Sequence, residues 1–408
     1  MTPHALIAGG SVGGLFAANL LRKAGWNVTV YERAAGHLGD RGTGIGTRDE
    51  LFAVMRRAGL DVEPSIGVPV LGRIGYDRDG SVLHRLAVPG ITSGWSRIWR
   101  PLKAAFPADR YHGASALTRL ERDGSGVLAH FADGSEAEGD VLIGADGLHS
   151  TVRPALVPEL KPQYAGYVAW RGVVDERDVE PPLRDALFHH MVFGFPEGGM
   201  FLSLPMPGPD EGPNRGGVNG SERRCHFVWF RSVGEGELVT LCTDASGKQH
   251  GVAIPPPLIR PELISILKSD ADALLAPQLA ALVHGTKQII LQPIFDLESS
   301  RIVFGRVALL GDAAFVARPH VATGVMKAAL DAQSLVDAIA NGSIDAGLSR
   351  YDAERCRFGR WLVERGRHIG HAIAARDGNP RQRIETLMRE YGAAGMVNET
   401  PITGRAAL

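Results

Sequence analysis

Cysteine is scarce. Cys225, Cys242 and Cys356 are the only three, widely separated and in no C-x-x-C pair, which excludes a disulfide scaffold, a cysteine zinc site and a dithiol redox couple. Charge of one sign is also missing: a formal net charge of -1 leaves no basic field to attract nucleic acid. No run of about 20 apolar residues occurs, so the sequence predicts no membrane span. The opening "MTPHALIAGG" lacks a basic leader region and reads as a strand, not a signal peptide. The expectation is a cytoplasmic protein with no metal site and no nucleic-acid or membrane partner.

The chain does have ample core-forming material: 408 residues, 44% of them hydrophobic and 22% charged, enough for one large domain or two ordinary ones. "ALIAGG", "LFAANLLRKAG" and "NVTVYER" read as strand, helix and strand, a βαβ unit. "RDELFAVMRRAGL" is a second helix, and Ile74 to Leu86 reads as a hairpin around Asp79-Gly80. From Tyr164 to Ile254 the pattern alternates in strand fashion ("GYVAWRGVV", "MVFGF", "RCHFVWFRSV") without convincing helices, which predicts an antiparallel second lobe. The Gly- and Pro-rich "PMPGPDEGPNRGGVNGSERR" reads as a surface loop. Helix resumes at "PELISILKSDADALLAPQLAALV", "RVALLGDAA" returns a buried strand, and two long helices follow.

Three strand-ending turns carry the chemical signal. In "GGSVGGL", Gly9 ends a strand and Gly14 permits close helix packing. Together with Ser11, Val12 and Gly13 they offer a pyrophosphate the amides and positive dipole of a helix start. Glu32, followed by Arg33, ends the next strand, where a carboxylate accepts hydrogen bonds from ribose hydroxyls. The pattern departs from G-x-G-x-x-G at Ser11. The second turn, "DVLIGADGLHSTVR", holds Asp146; the third, "GRVALLGDAAFVARPHVATG", holds Gly311 and Asp312. A single dinucleotide turn leaves the third unexplained.

In this order and spacing the three turns resemble the fingerprints of the FAD-dependent aromatic hydroxylases, the para-hydroxybenzoate-hydroxylase-like flavoprotein monooxygenases. The resemblance implies an α/β fold: a Rossmann-like FAD-binding domain of the GR2 type, an inserted, mainly antiparallel β-sheet substrate domain and C-terminal helices. It divides the chain into a discontinuous FAD-binding domain (1–73, 98–163, 288–340), a substrate domain (74–97, 164–287) and a helical region (341–408). Carried over, it assigns the ADP half of FAD to Gly9, Ser11, Gly14 and Glu32, and the ribitol to Asp312. The flavin ring falls to the backbone around Pro319, Ala322, Thr323 and Gly324, where Ala322 replaces a usual glycine. Arg41 reaches the ribose side, Gly44 and Ile45 pass beside the ring, and either Arg97 or Arg100 supplies a further cofactor contact. The implied activity is a single-component monooxygenase that uses NAD(P)H and dioxygen, through a flavin hydroperoxide, to hydroxylate a small aromatic substrate. No second nucleotide turn is visible, so NAD(P)H docks transiently; a homodimer is left open.

"YAGYVAWRGVV" and "RPHVATG" draw the resemblance toward hydroxylases of hydroxylated pyridines, and so toward a substrate such as 2,6-dihydroxypyridine. The candidate catalytic residues are His320, Tyr167, Trp170 and His189. For His320 the choice is between a base near the ring, with an ordinary pKa near ~6.5, and a packed turn residue. For Tyr167 and Trp170 it is ring stacking against core packing beside Arg171. His189 is expected on a strand, where it or His190 faces inward, and Phe315 as an apolar pocket wall. A flavin dehydrogenase or reductase without oxygen transfer and a phenolic-acid hydroxylase remain as alternatives.

Overall fold

The computed structural model describes residues 2–36, 38, 43–62, 64–122, 124, 126–209, 222–251, 253–374 and 380–390. Arg41 and most of the Gly- and Pro-rich loop lie outside these residues.

The chain starts as its apolar runs predict. Strand His4–Ala8 is followed by helix Val12–Lys23 and strand Asn27–Tyr31. The helix ends on Arg22 and Lys23, whose charges suit the negative end of its dipole. His4–Ala8 pairs in parallel with both Asn27–Tyr31 and Val141–Gly144. Strands Val307–Leu309 and Val303–Phe304 extend the sheet on one side and Tyr111–His112 on the other, making six strands. Strands this apolar are buried, and the helices Val12–Lys23 and Gly324–Ile339 pack together in one core with them.

A second sheet of seven strands runs in the order Ile290–Asp296, Gln163–Asp175, Arg224–Ser232, Gly199–Met206, Met191–Gly194, Arg73–Tyr76 and Val82–Leu86. Every pairing is antiparallel except that of Met191–Gly194 with Arg73–Tyr76. Period-two alternation gives its faces different partners. Val168, Trp170, Phe227 and Trp229 pack into a core with the helices Pro181–Phe188, Pro261–Leu274 and Pro277–Gly285. Tyr167, Ala169, Val228 and Phe230 pack on the other side, against the long helix Ile344–Ala374 and helix Pro380–Glu390.

Two expectations are corrected. Residues 288–340 do not all belong with the parallel sheet, because Ile290–Asp296 pairs with Gln163–Asp175 in the seven-stranded one. The middle segment also contains two short helices, Pro181–Phe188 and Glu235–Leu241. In the first, Pro181 and Pro182 pre-set the opening turn, and Leu183 and Leu187, four apart, share its apolar face. No helix among the described residues is long and apolar enough to cross a membrane.

Candidate active site

All three sequence turns open onto one cavity of about 620 Å³, which continues to the face of the seven-stranded sheet. At one end Gly9 takes φ +111°, a conformation that side-chain-bearing residues rarely adopt, and a Cβ there would run into the backbone of Ala145. Gly14 stands behind the turn, where a Cβ would strike the carbonyl oxygen of Gly9. Ser11 caps the first helix with φ -80° and ψ -173°, extended backbone open to any residue, so the departure from glycine costs nothing there. The buried Glu32 carboxylate accepts hydrogen bonds from the backbone N–H of Gly10 at 2.7 Å and of Ala34 at 2.9 Å. It braces the turn and lines the cavity with Ser11, Val12, Gly13 and Arg33.

Asp146 follows strand Val141–Gly144 and reaches forward to the start of helix Val152–Leu156. Its Oδ2 accepts from the N–H groups of Thr151 (2.7 Å) and Val152 (3.1 Å), while its buried Oδ1 has no hydrogen-bond partner among the described residues. Arg153 is buried and donates to the carbonyls of Leu148 (2.7 Å) and Ala313 (3.1 Å), tying the second turn to the third.

At the third turn Gly311 takes φ +64°, and Asp312 leaves 52% of its side chain open on the cavity side. A buried chain of charges anchors the turn from behind. Arg355 donates to Asp331 (2.7 Å), Lys327 lies 3.3 Å from Asp331 and 3.9 Å from Asp312, and Asp331 accepts from the Gly311 N–H at 3.1 Å. Pro319 opens a short turn that closes on Ala322 at φ +51°. Ala322 thus adopts the left-handed conformation a glycine would supply, at a cost of about 1–2 kcal/mol. Thr323 and Gly324 begin helix Gly324–Ile339, whose N-terminus faces the cavity, and the buried Thr323 Oγ1 has no partner among the described residues.

These features fit FAD. The cavity joins two helix N-termini, suited to pyrophosphate and to negative charge on a reduced ring, with glycines where side chains would fill it and orphaned oxygens on Asp146 and Thr323. Gly44 and Ile45, on strand Gly44–Gly46, also line it. A Cβ at Gly44 would meet Leu204 and the ring of His226. In helix Trp95–Ala105 it is Trp95 that reaches the wall, not Arg97 or Arg100.

Beyond Gly44 the cavity becomes a recess against the seven-stranded sheet, walled by Leu202, Leu204, Val228, Phe230 and Ile294 and edged by Arg171, His226 and Gln292. None of the four expected catalytic side chains is on its wall. His320 is fully buried behind it; its Nε2 is 2.6 Å from the Tyr167 hydroxyl and its ring packs edge-on to Phe230. Burial, aided by Arg318, lowers its pKa to about 3, so it stays neutral and is a poor base at neutral pH. Tyr167 is sequestered with it, and burial raises the phenol well above its ordinary value. Trp170 points to the opposite face of the sheet, in the helix-covered core. His189 ends helix Pro181–Phe188 rather than lying on a strand, and is exposed, its Nδ1 3.9 Å from Asp185. Phe315 packs against Gly359 of the long helix instead of walling the pocket.

His226 is a site residue that none of the sequence motifs marks. It lies in "RCHFVWF", where Cys225, Phe227 and Trp229 fill one core and His226, Val228 and Phe230 face the cavity. A titratable ring at an inward position of an apolar strand was the available signal. His226 is 2% exposed, neither ring nitrogen has a hydrogen-bond partner among the described residues, and burial together with Arg171 holds its pKa well below 6.5.

A fold that cradles an extended dinucleotide and adds a ring-sized recess at its far end defines a flavoprotein hydroxylase, and comparison with known proteins agrees. The profile of the FAD binding domain-like family matches residues 164–296. The chain belongs to the FAD-dependent aromatic monooxygenases; FAD is its cofactor, and NAD(P)H is the usual co-substrate of the class. It is 30% identical to 2,6-dihydroxypyridine 3-monooxygenase of Paenarthrobacter nicotinovorans over 93% of this chain and 94% of that protein. The solved 2,6-dihydroxypyridine-3-hydroxylase from Arthrobacter nicotinovorans superposes with a TM-score of 0.85 at 30% identity, covering 93% of this chain and 96% of the other. Klebsiella pneumoniae HpxO, solved with FAD and uric acid, gives a TM-score of 0.75 at 25% identity over 98% and 94%.

Proposed function

We propose that the protein hydroxylates a hydroxypyridine, with 2,6-dihydroxypyridine as the leading substrate. The observation that carries this reading is the recess: apolar walls from Leu202, Leu204, Val228 and Phe230, with the cationic Arg171 on one edge. Such a pocket takes an aromatic ring and favours its deprotonated hydroxyl, the form richest in electrons for attack by an electrophilic oxygen. The similarity to the 2,6-dihydroxypyridine enzymes supports the same substrate class.

In this reading Gly9, Ser11, Val12, Gly13, Glu32 and Arg33 hold the ADP half of FAD, with Gly14 keeping the turn tight. Asp146 and Asp312 hold its middle, and Gly44, Ile45, Pro319, Ala322, Thr323 and Gly324 face its ring. Held there, FAD would supply the reducing equivalents from NAD(P)H and the activation of dioxygen that hydroxylation of the ring requires. The chain orients the ring in the apolar recess, excludes water from it and stabilises the ring oxyanion through Arg171. The Arg171 Nη1 donates to Thr43 Oγ1 at 3.3 Å, which ties its head to the segment leading into Gly44.

The test is a screen of hydroxypyridines and phenolic acids for stimulated NAD(P)H oxidation, with product analysis. Hydroxypyridines should stimulate oxidation and return a hydroxylated product. Stimulation confined to phenolic acids would replace the substrate class, and oxidation with no hydroxylated product from any ring would favour a dehydrogenase or reductase.

A further inference from the structure

The recess contains a polar group that no contact within the described chain satisfies. His226 sits on strand Arg224–Ser232 directly opposite Leu204 on one side and Val173 on the other. Arg171, two residues before Val173, is its diagonal neighbour on the same face, since Arg171 pairs with Val228. The two side chains therefore stand side by side on adjacent strands and open onto the same cavity. Around them the wall is apolar, since Leu202, Leu204, Val228 and Phe230 offer no side-chain donor or acceptor; the further polar side chain at the edge of the recess is Gln292, on the strand beyond Arg171. Burying an imidazole at 2% exposure with both nitrogens unpartnered among the described residues costs stability unless a bound molecule supplies the missing hydrogen bond.

We propose that His226 and Arg171 form the polar edge that recognises the substrate, His226 hydrogen-bonding the ring nitrogen of a hydroxylated azine while Arg171 pairs with its ring oxyanion. This rests on the hydroxypyridine reading and adds the residues that tell an azine from a carbocyclic phenol. The division of labour follows from charge. Burial and the adjacent Arg171 keep His226 uncharged, with one nitrogen carrying hydrogen and the other a lone pair. It therefore matches a neutral ring nitrogen in either its N–H or its lone-pair form, and the guanidinium is left for the oxygen that bears negative charge. A pocket built to hydrogen-bond a substrate nitrogen discriminates strongly against the analogue that lacks it, because the buried imidazole is then left unsatisfied. A Cβ at Gly44 would meet the His226 side chain, so the imidazole stands against the strand assigned to the flavin ring, which puts the recognised edge of the substrate beside the cofactor.

The experiment is calorimetric titration of the FAD-loaded protein with 2,6-dihydroxypyridine and with resorcinol, which differs only in having a carbon at the ring-nitrogen position. Wild type should bind the pyridine at least tenfold more tightly than resorcinol. His226→Leu should lose that tenfold preference while keeping its FAD content and binding resorcinol at least as tightly as wild type, since the imidazole that resorcinol leaves unsatisfied is gone. His226→Gln, which restores a donor and an acceptor, should recover most of the preference and guards against a folding defect in the leucine variant. A His226→Leu protein that retains the full preference would overturn the inference and leave the hydroxypyridine reading standing. Equal binding of both rings by wild type would do the same. Failure of wild type to bind 2,6-dihydroxypyridine at all would overturn both.

Discussion

Removing the Asp312 carboxylate should cost the protein its cofactor before it costs the fold. The side chain is half open on the cavity side, and behind it Lys327 keeps its closer partner Asp331 at 3.3 Å. Asp312→Ala should therefore raise the FAD dissociation constant at least tenfold, about 1.4 kcal/mol, with little change in melting temperature; flavin fluorescence titration measures it, and unchanged affinity would refute the ribitol assignment. His320 gives a pH expectation of definite sign. Its pKa is about 3 when folded and near the ordinary 6.5 when unfolded, so the unfolded chain takes up the proton first. The stability it supports is fully present above pH 6.5 and is lost as pH falls from there toward 3. Melting curves from pH 7 to 5 should fall less steeply for His320→Leu than for wild type; parallel curves would mean the imidazole is not held neutral. The roles of glycine and acidic residues at strand ends were readable from sequence, because a tight turn constrains its residues locally. The fate of His320 was not, because two residues after Arg318 nothing in the chain announces Tyr167 and Phe230 closing over it.

Substituting glycines at contacts between elements should damage assembly in proportion to what stands opposite. A Cβ at Gly14 meets the Gly9 carbonyl oxygen, backbone that cannot step aside without opening the turn. Gly14→Ala should thus lose FAD and stability together. In the long helix Ile344–Ala374, a Cβ at Gly359 would enter the ring of Phe315, and overpacking of this kind typically costs about 1–3 kcal/mol. Gly359→Ala should lower the denaturant midpoint by that order; an unchanged midpoint would show that Phe315 can move aside freely. Elements were legible where periodicity was long or glycine marked the end, as in the first βαβ unit. Helix Pro181–Phe188 was hidden because eight residues within a strand-rich stretch give too little periodicity, so His189 at its C-terminal end read as a strand residue. The face of a strand that meets the cavity is a property of the layers packed against it, so Trp170 and Arg171, neighbours in sequence, took opposite fates.

The seven-stranded sheet, the turn before Pro319 and the long helix are joined by one ionic cluster centred on the buried Asp296. Asp296, 3% exposed, accepts from Arg318 at 2.9 Å and from Arg367 at 2.8 Å, and Arg367 also reaches Glu298 at 2.7 Å. These residues come from the edge strand Ile290–Asp296, the turn before Pro319 and the helix Ile344–Ala374. Asp296→Asn should destabilise by on the order of 3 kcal/mol, since it strands a buried guanidinium, and should weaken FAD binding by loosening the turn at Pro319–Val321; loss of stability with normal FAD affinity would separate the cluster from the cofactor site. The general architecture was legible because the three turns occur in a fixed order along the chain. The shape of the recess was not, because its walls come from three strands, Gly199–Met206, Arg224–Ser232 and Ile290–Asp296, that are spread along the chain and meet only when the sheet forms.

The most direct measurement is turnover of the FAD-loaded protein with NAD(P)H and 2,6-dihydroxypyridine under ¹⁸O-labelled dioxygen, followed by mass spectrometry of the product. One labelled oxygen atom in the ring for each NAD(P)H consumed, the other leaving as water, is the expected result. NAD(P)H consumption that yields hydrogen peroxide and no labelled product, with this ring and with other hydroxypyridines, would contradict it.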